Sequence, residues 1–291
     1  MSSTPRLGII GGSGLYDLPG LADTRWVTVD TPWGAPSDQV FLGRLGDAEL
    51  AFLPRHGRGH RIPPSELNFR ANIAALKSLG VTDVLSLSAV GGLRADLVPG
   101  TFVIVDQFVD RTHARVKSFF GTGLVAHVSM AHPVCNRLGD HVQAALARQG
   151  VPWVRGGTYL TIEGPQFSTR AESEIYRSWN CSVIGMTNMP EAKLAREAEL
   201  CYCSVSMVTD FDCWHPAHDA VTVDAVIRVL LENAEHAREL VAGLAASVAT
   251  DAKAPACSCR HALDHALITA PDARDPAMIE KLRAIAGRVL K

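Results

Sequence analysis

Short apolar segments alternate with amphipathic segments along this chain, and this alternation limits the fold more than any other sequence feature. The apolar segments predict strands at Leu7–Ile10, Leu50–Leu53, Val81–Ser88, Phe102–Val105, Tyr159–Ile162, Val183–Met186 and Tyr202–Thr209. The amphipathic segments predict helices at Ser65–Gly80, Pro133–Ala147, Ala171–Trp179, Glu191–Ala198 and Thr222–Val248, the first with Ser65 as its N-cap. Strands that alternate with helices are typical of an α/β fold, so we predict a central mixed β-sheet flanked by helices.

Length and composition favour one large globular domain. The chain has 291 residues, of which 47% are hydrophobic and 20% charged, far from the composition of disordered proteins. Its formal net charge of -2 argues against nucleic-acid binding, which needs a basic surface. No hydrophobic signal segment precedes the first predicted strand, and the longest apolar tract, Leu240–Val248, is too short to cross a bilayer. We therefore expect a cytoplasmic protein without a membrane or nucleic-acid partner.

The C-terminal part of the chain differs from the rest. Residues 1–250 are predicted to form the main domain, and residues 251–291 a linker, a Cys-Ser-Cys segment and a C-terminal tail helix. Asp275 is the expected N-cap of that helix, and its apolar stripe consists of Ile279, Leu282, Ile285 and Val289. A lone amphipathic helix must bury such a stripe, so we expect it to dock on the main domain or on a neighbouring subunit.

The chain contains seven cysteines: Cys135, Cys181, Cys201, Cys203, Cys213, Cys257 and Cys259. Because no pairing of them has the spacing of a zinc finger, we expect no structural zinc and mostly reduced thiols in the core. For Cys257 and Cys259 the sequence leaves two readings open. In the first reading, they are two reduced thiols on a surface loop. In the second, they form a redox-active or stabilising pair.

Polar residues follow several predicted strands, where ligands of open α/β sheets bind. The first strand leads into Gly11-Gly12-Ser13-Gly14, a tight turn whose backbone N–H groups suit an anion. Asp17 stands where a dinucleotide-binding fingerprint needs its third glycine, so that function is disfavoured. Arg55-His56, Ser88-Ala89 and Thr187 stand at three further strand ends. An arginine fork, an imidazole and hydroxyls without a metal-ligand cluster predict a phosphate site and no metal.

Two carboxylates follow the last predicted strand, in Asp210-Phe211-Asp212. Paired carboxylates that are partly buried push one pKa upward, which allows one to carry a proton while the other stays ionised. An exposed Asp-x-Asp turn or a cation site is the alternative that the pair alone leaves open.

Several segments between Leu7 and Val248 together resemble, in order and spacing, the methylthioadenosine phosphorylases of the trimeric purine nucleoside phosphorylase family. The matching segments are Ile9–Leu15, Arg55–His60, Asn68–Lys77, Asp106–Thr112, Thr161–Glu172 and Thr209–Trp214. The resemblance implies phosphorolysis of a nucleoside, in which inorganic phosphate attacks C1′ and adenine leaves, with no cofactor. It also implies a homotrimer with active sites at the subunit interfaces.

The resemblance assigns roles to individual residues. Phosphate binding falls on Ser13, Arg55, His56, Ser88, Ala89 and Thr187. Ribose and base contacts fall on Met186, Phe167, Asp210, Phe211 and Asp212, with Asp210 as the acid at purine N7 and Asp212 as the acceptor for the 6-amino group. The 5′-substituent and substrate choice fall on Ser168, His127, Val223, Val226 and Ile227, with His127 expected from the adjacent subunit.

Relatives that prefer 6-oxopurines carry Asn where Asp210 stands, so the resemblance favours methylthioadenosine. Adenosine is an expected second substrate, since an apolar pocket rejects an added hydroxyl only weakly. Asn188 stands where a second threonine is frequent, and its effect on the base pocket is open.

One alternative is a 6-oxopurine phosphorylase, against which Asp210 and Asp212 argue. Another is a non-catalytic nucleoside sensor or a dinucleotide-binding protein, against which the phosphate set and the failed glycine fingerprint argue.

Overall fold

The structure, a computed structural model, describes residues 6–12, 14–216, 222–251 and 256–290. The predicted phosphate residue Ser13 and most of the expected linker at 250–255 lie outside these ranges.

One mixed sheet forms the centre of the molecule. Its strands are β1 (Arg6–Gly11), β2 (Ala22–Val27), β3 (Val40–Leu45), β4 (Ala48–Pro54), β5 (Val81–Gly92), β6 (Phe102–Ile104), β7 (Gln107–Asp110), β8 (Trp153–Arg155), β9 (Thr158–Thr161), β10 (Val183–Gly185) and β11 (Cys201–Asp210). The main path follows the order β2-β3-β4-β1-β5-β10-β9-β7. β11 branches from β5 and also pairs with β6, which in turn pairs with β8. The predicted α/β fold with a mixed sheet is confirmed.

The strands that lead into the predicted site lie side by side in the middle of this sheet. β1 pairs in parallel with β4 and β5, and β5 pairs in parallel with β11. The carboxyl ends of these strands therefore meet at one edge, the usual place for a ligand in an open α/β sheet. β2 and β3 extend the sheet beyond β4 through antiparallel pairs.

Helices cover both faces of the sheet: α1 (Phe69–Ser78), α2 (Asn136–Leu146), α3 (Arg170–Ser178), α4 (Asn188–Glu197), α5 (Val223–Ala249), α6 (Pro276–Lys281) and α7 (Arg283–Ala286). Alternate residues of the strands face opposite layers. Ile10 and Val84 pack with α1 and α4, whereas Ile9 and Leu85 pack with α2 and α5. No helix among the described residues is both long and apolar enough to cross a membrane.

Two boundaries near the site differ from the sequence-based predictions. Asn68, and not Ser65, caps α1 by accepting a hydrogen bond from the Ala71 N–H, while the Ser65 hydroxyl donates to the Glu163 carbonyl. β5 continues to Gly92, so Ser88 lies inside the strand instead of at its end. The longer strand reflects its pairing with β11, a tertiary contact that local sequence does not encode.

The C-terminal segment packs on the main domain of its own chain. Asp275 caps α6 as predicted, by accepting a hydrogen bond from the Ala277 N–H. A break at Leu282 divides the expected single helix into α6 and α7. Leu282 and Ile285 are buried in the same core cluster as α1.

Candidate active site

The two carboxylates lie together at the carboxyl end of β11. Asp210 is the last residue of the strand, and Asp212 follows in a turn with a φ of 50°. The Asp212 N–H donates to Asp210 Oδ1 at 2.7 Å, and Thr209 Oγ1 donates to Asp210 Oδ2 at 2.7 Å. Both oxygens of Asp210 are therefore oriented by neighbouring groups of the same segment.

Gly91 of β5 makes room for this pair. It lies opposite Asp210 in the sheet register. A Cβ atom on Gly91 would lie 3.0 Å from Asp210 Oδ1 and 3.3 Å from the Asp212 Cβ, closer than a side chain normally approaches. The β5 backbone thus forms a close wall beside both carboxylates.

Burial changes the acidity of both groups. It raises the pKa of Asp210, and the neighbouring Asp212 carboxylate adds to this rise against the hydrogen bonds from Thr209 and Asp212 N–H. Burial likewise raises the pKa of Asp212. A carboxyl group with a raised pKa keeps its proton to a higher pH than a free carboxyl group does, which favours a role as general acid.

Aromatic contacts fix the segment after Asp210. Phe211 and Trp214 meet edge to face at 5.9 Å, and the Trp214 indole N–H donates to the Gly92 carbonyl at 2.8 Å. The Arg177 guanidinium of α3 covers the Trp214 ring at 3.7 Å from its centroid. These contacts hold the segment against both β5 and α3.

The predicted base-side residues Phe167 and Ser168 lie next to this segment. The Cys213 thiol donates to the Ser168 carbonyl at 3.4 Å, which brings Ser168 beside the residue that follows Asp212. Phe167 is 46% exposed, so an aromatic face remains accessible here. Such a face suits stacking against a purine or sugar.

Hydroxyl groups also lie close together near β5, the neighbour of β11 in the sheet. Ser88 of β5 and Thr187 at the N-cap of α4 both adjoin the fully buried phenol of Tyr159. Burial raises the pKa of Tyr159, and the two neighbouring hydroxyls oppose that rise. Neither Ser88 Oγ nor Tyr159 Oη has a hydrogen-bond partner among the described residues. Buried polar atoms of this kind are costly unless a ligand engages them.

Thr187 directly precedes α4, in which the backbone of Met189 is not helical (φ -119°, ψ 129°). Thr187 is the N-cap of α4, and its side chain makes no capping bond. Asn188, whose effect was open, is buried and donates to Ser204 Oγ of β11, so its amide is engaged with the sheet.

Arg55 has a different immediate partner from the expected oxyanion. Its guanidinium is buried, and Nε and Nη2 donate to the two oxygens of Glu191 at 2.9 and 3.1 Å. Nη2 also donates to Ser86 Oγ at 2.6 Å, and Nη1 donates to the Leu87 carbonyl at 2.9 Å. The forked edge that was expected to bind phosphate is therefore occupied by Glu191.

His56, next to Arg55, is held as a neutral ring. Burial lowers the pKa of His56 to about 4. Its Nδ1 lies 2.8 Å from the Ile62 carbonyl, which requires the proton on Nδ1 and leaves Nε2 as an acceptor. The ring stacks on His60 at 4.2 Å. A neutral imidazole acceptor suits a protonated phosphate oxygen or a hydroxyl.

The remaining predicted residues divide into two groups. Met186 directly follows β10, where its Sδ packs against Gly164 and its carbonyl accepts from Arg115 at 2.7 Å. Ala89 lies inside β5 opposite Met207. The 5′-group residues instead lie on exposed surfaces: His127 on a surface segment, and Val223, Val226 and Ile227 in the first turns of α5. His127 lines a separate cavity of about 390 Å³.

Comparison with known proteins shows the family to which this chain belongs. The sequence model of the phosphorylase superfamily matches residues 6–246, which include the segments that carry the site. The chain belongs to the phosphorylase superfamily. Its enzymatic class is therefore that of a phosphorylase.

Individual phosphorylases are similar over nearly the whole chain. The S-methyl-5′-thioadenosine phosphorylase of Rhodospirillum rubrum is 63% identical, with 98% of this chain and 97% of that protein covered, and the one from Cereibacter sphaeroides is 60% identical, with 98% of each covered. A solved methylthioadenosine phosphorylase from an Antarctic soil metagenomic library has a TM-score of 0.91 and 47% identity, over 97% of this chain and 99% of that chain. A mutant adenosine/methylthioadenosine phosphorylase of Schistosoma mansoni in complex with adenine has a TM-score of 0.84 and 38% identity, over 89% and 96%.

Sequence reasoning missed two residues that organise the site of this phosphorylase. Glu191 holds Arg55, and Tyr159 lies beside Ser88 and Thr187. A signal existed for Glu191, because it is a lone carboxylate among apolar residues at the start of α4. Tyr159 carried no such signal, since its strand reads as ordinary core.

Proposed function

We propose that this chain is a methylthioadenosine phosphorylase. Inorganic phosphate attacks C1′ of S-methyl-5′-thioadenosine, the bond from C1′ to N9 breaks, and the products are adenine and S-methyl-5-thio-α-D-ribose 1-phosphate. Adenosine is a second substrate. The observation that carries this proposal is the buried Asp210–Asp212 pair at the end of β11, because its chemistry matches the leaving group.

Adenine is a poor leaving group until its N7 is protonated or strongly hydrogen-bonded. Asp210 supplies that proton, since burial raises its pKa, and the electron pair of the broken bond then remains on a neutral base. Asp212, ionised, accepts from the exocyclic 6-amino group. A 6-oxopurine would set its oxygen against that carboxylate, a mismatch that leaves buried polar groups unpaired.

Phosphate binds on the other side of the scissile bond. Ser88 and Thr187 donate hydroxyl hydrogens, and His56 Nε2 accepts from a protonated phosphate oxygen. Ser13 and Ala89 belong to the same proposed site. Because Glu191 binds the guanidinium of Arg55 and fixes its orientation, Arg55 is proposed to attract phosphate by its charge and not by a direct forked contact. No cofactor other than the co-substrate phosphate is proposed.

The 5′-group is proposed to bind at a subunit interface of a homotrimer. Val223 is 61% exposed and Ile227 47% exposed, which leaves an apolar wall on α5 that a single chain does not cover. His127 reaches this wall from the adjacent subunit. An apolar wall suits a methylthio group better than a hydroxyl.

The relatives support the proposal by name. Proteins 63% and 60% identical to this chain are S-methyl-5′-thioadenosine phosphorylases, and one structural relative was solved with adenine bound. The proposed role is salvage of purine and of methionine, in the cytoplasm.

Base release from methylthioadenosine, adenosine and methylthioinosine, followed side by side with and without phosphate, tests the function. We expect adenine release from methylthioadenosine to dominate and to stop without phosphate. Preferred turnover of methylthioinosine would overturn the roles of Asp210 and Asp212 while leaving the family intact. Base release that continues without phosphate would overturn phosphorolysis itself.

A further inference from the structure

Four cysteines far apart in sequence meet at one point away from the proposed active site. The sulfur atoms of Cys135, Cys201, Cys257 and Cys259 all lie within 4.8 Å of one another. Cys135 is the N-cap of α2, Cys201 begins β11, and the other two flank the start of a 3₁₀ turn at Ser258–His261. Three of the four are buried, and Cys257 is partly buried. Zinc-finger spacing is absent because tertiary folding, not a local motif, assembles this cluster.

The spacing of the sulfurs matches a tetrahedral metal site. With Zn–S bonds of about 2.3 Å, tetrahedral geometry places the four sulfurs about 3.8 Å apart. Cys135 Sγ and Cys257 Sγ lie 3.5 Å apart, and all four sulfurs lie within 4.8 Å of one another. Four thiol ligands from separate elements are the donor set of closed structural zinc sites.

Positive charge surrounds the cluster. Arg137, in the first turn of α2, lies within hydrogen-bonding reach of the Cys201 sulfur, and Arg260 directly follows Cys259. Both arginines form ion pairs with the buried carboxylate of Asp83. The Nε atoms of both are buried, and neither has a hydrogen-bond partner among the described residues. Thiolate sulfurs are the acceptors that such N–H groups need, as outer-shell donors commonly provide in metal sites.

We propose that Cys135, Cys201, Cys257 and Cys259 bind one structural Zn²⁺ ion. Each thiol releases its proton on binding, so four thiolates and one divalent ion together carry two negative charges. Arg137 and Arg260 lie next to these charges, although both also pair with Asp83 and Arg137 pairs with Asp251 as well. No oxidant is required, and no electron is transferred. This site is separate from the proposed catalysis, in which no metal takes part.

The ion would tie the C-terminal segment to the main domain. Beyond the cluster, this segment supports the surface loop that carries His127: the Ala266 carbonyl accepts from the His127 N–H at 2.8 Å, and the Ile268 N–H donates to the Val125 carbonyl at 2.9 Å. The β-bridge between Ala126 and Leu267 adds to this contact. Metal binding therefore stabilises a segment that the proposed substrate site uses.

Elemental mass spectrometry on full-length protein, purified without chelator, tests the proposal first. We expect about one zinc per chain in the wild type and none in the double variant Cys257→Ser, Cys259→Ser. Cys203→Ala is the matched control, because Cys203 is buried on the same strand as Cys201 but lies outside the cluster, and it should keep its zinc. Zinc in the double variant would place the ion elsewhere and overturn the proposal.

A second measurement does not depend on the folding of any variant. Wild-type protein stripped with a chelator under reducing conditions and titrated with Co²⁺ should develop the intense visible bands of a tetrahedral tetrathiolate, and Zn²⁺ should abolish them. Stripping should also lower the thermal midpoint, and Zn²⁺ should restore it. Metal-free protein that binds no Co²⁺ overturns the proposal. So does an intact mass lacking two hydrogens for each pair of cysteines, because that result identifies disulfides.

Discussion

At the scale of single residues, the two aspartates have different surroundings although they stand two positions apart. Asp210 accepts from a hydroxyl and from a backbone N–H and is only partly buried, whereas Asp212 is 6% exposed. Burial raises the pKa of both, and repulsion between them disfavours two charges at once. The pair is therefore suited to hold one proton and one charge, as the proposed chemistry requires.

Replacement of the proposed acid should affect both rate and pH dependence. We expect Asp210→Asn to lower kcat/KM for methylthioadenosine by about 10²–10³-fold, a usual loss for a general acid. In the wild type, kcat/KM should fall as pH rises through the raised pKa of Asp210, and this alkaline limb should be absent from the variant. Asp47→Asn, in the exposed turn between β3 and β4, is the control and should change neither quantity. A loss below about tenfold would exclude the acid role.

Residues of the site were predictable where the signal is local. Asp210-Phe211-Asp212 and Phe167-Ser168 each lie within a short motif, and the fold brings the two motifs together through Cys213. The partner of Arg55 was not predictable, because Glu191 stands 136 positions later in the chain. The four-cysteine cluster was missed for the same reason, since spacing in sequence carries no information about sulfurs contributed by α2, β11 and the C-terminal segment.

At the scale of elements, the junction of β10 with α4 arranges the proposed phosphate side. Gly185 ends β10, and Thr187, two residues later, directly precedes α4. A Cβ on Gly185 would overlap Tyr159 Oη and lie 2.7 Å from Tyr159 Cζ. Because Tyr159 is a rigid, buried ring, Gly185 is the residue that lets the phenol lie beside Ser88 and Thr187.

We expect Gly185→Ala to destabilise the fold by about 1–3 kcal/mol, the usual cost of overpacking a core. The displaced Tyr159 should also raise KM for phosphate more than KM for the nucleoside. Urea unfolding and initial rates at varied phosphate measure the two effects. Gly121→Ala is the control, because a Cβ there meets nothing within 4 Å. Equal effects of both substitutions would contradict this account.

Strand prediction succeeded in the buried centre of the sheet and failed at its margins. β1, β4, β5 and β11 are buried along most of their length because both of their faces are covered, and each contains apolar residues that mark it as a strand. β2 is mostly exposed, and β7 and β8 are short and partly exposed, so hydrophobic patterning does not mark them. The break at Leu282 likewise escaped prediction, because the apolar stripe continues across it.

At the scale of the whole molecule, the described part of α5 leaves three large apolar side chains exposed. Those of Val223, Ile227 and Leu231 recur every four residues along α5, with 61%, 47% and 70% of their surface exposed. Contiguous apolar surface of this kind marks a contact with ligand or protein. It agrees with the proposed homotrimer.

Light scattering should give the mass of a trimer, and a monomer would contradict the proposal. We also expect His127→Ala and Asp210→Asn chains to complement each other after subunit exchange, since each proposed site takes these residues from different subunits. Random mixing of equal amounts should restore about one quarter of the sites in a cyclic trimer. Activity no higher than the average of the two separate variants would place both residues in one subunit's site.

The ion pair of Arg55 and Glu191 has a consequence for how this protein can change over generations. Glu191 also accepts from Ser86 Oγ at 2.6 Å and from Tyr202 Oη at 2.8 Å, so one carboxylate of α4 joins β5, β11 and the residue that follows β4. Loss of either charge alone leaves the other buried and unpaired, at a cost of about 3–5 kcal/mol. Arg55 and Glu191 are therefore expected to be retained together or replaced together during evolution. Related proteins should not differ from this chain at only one of the two positions.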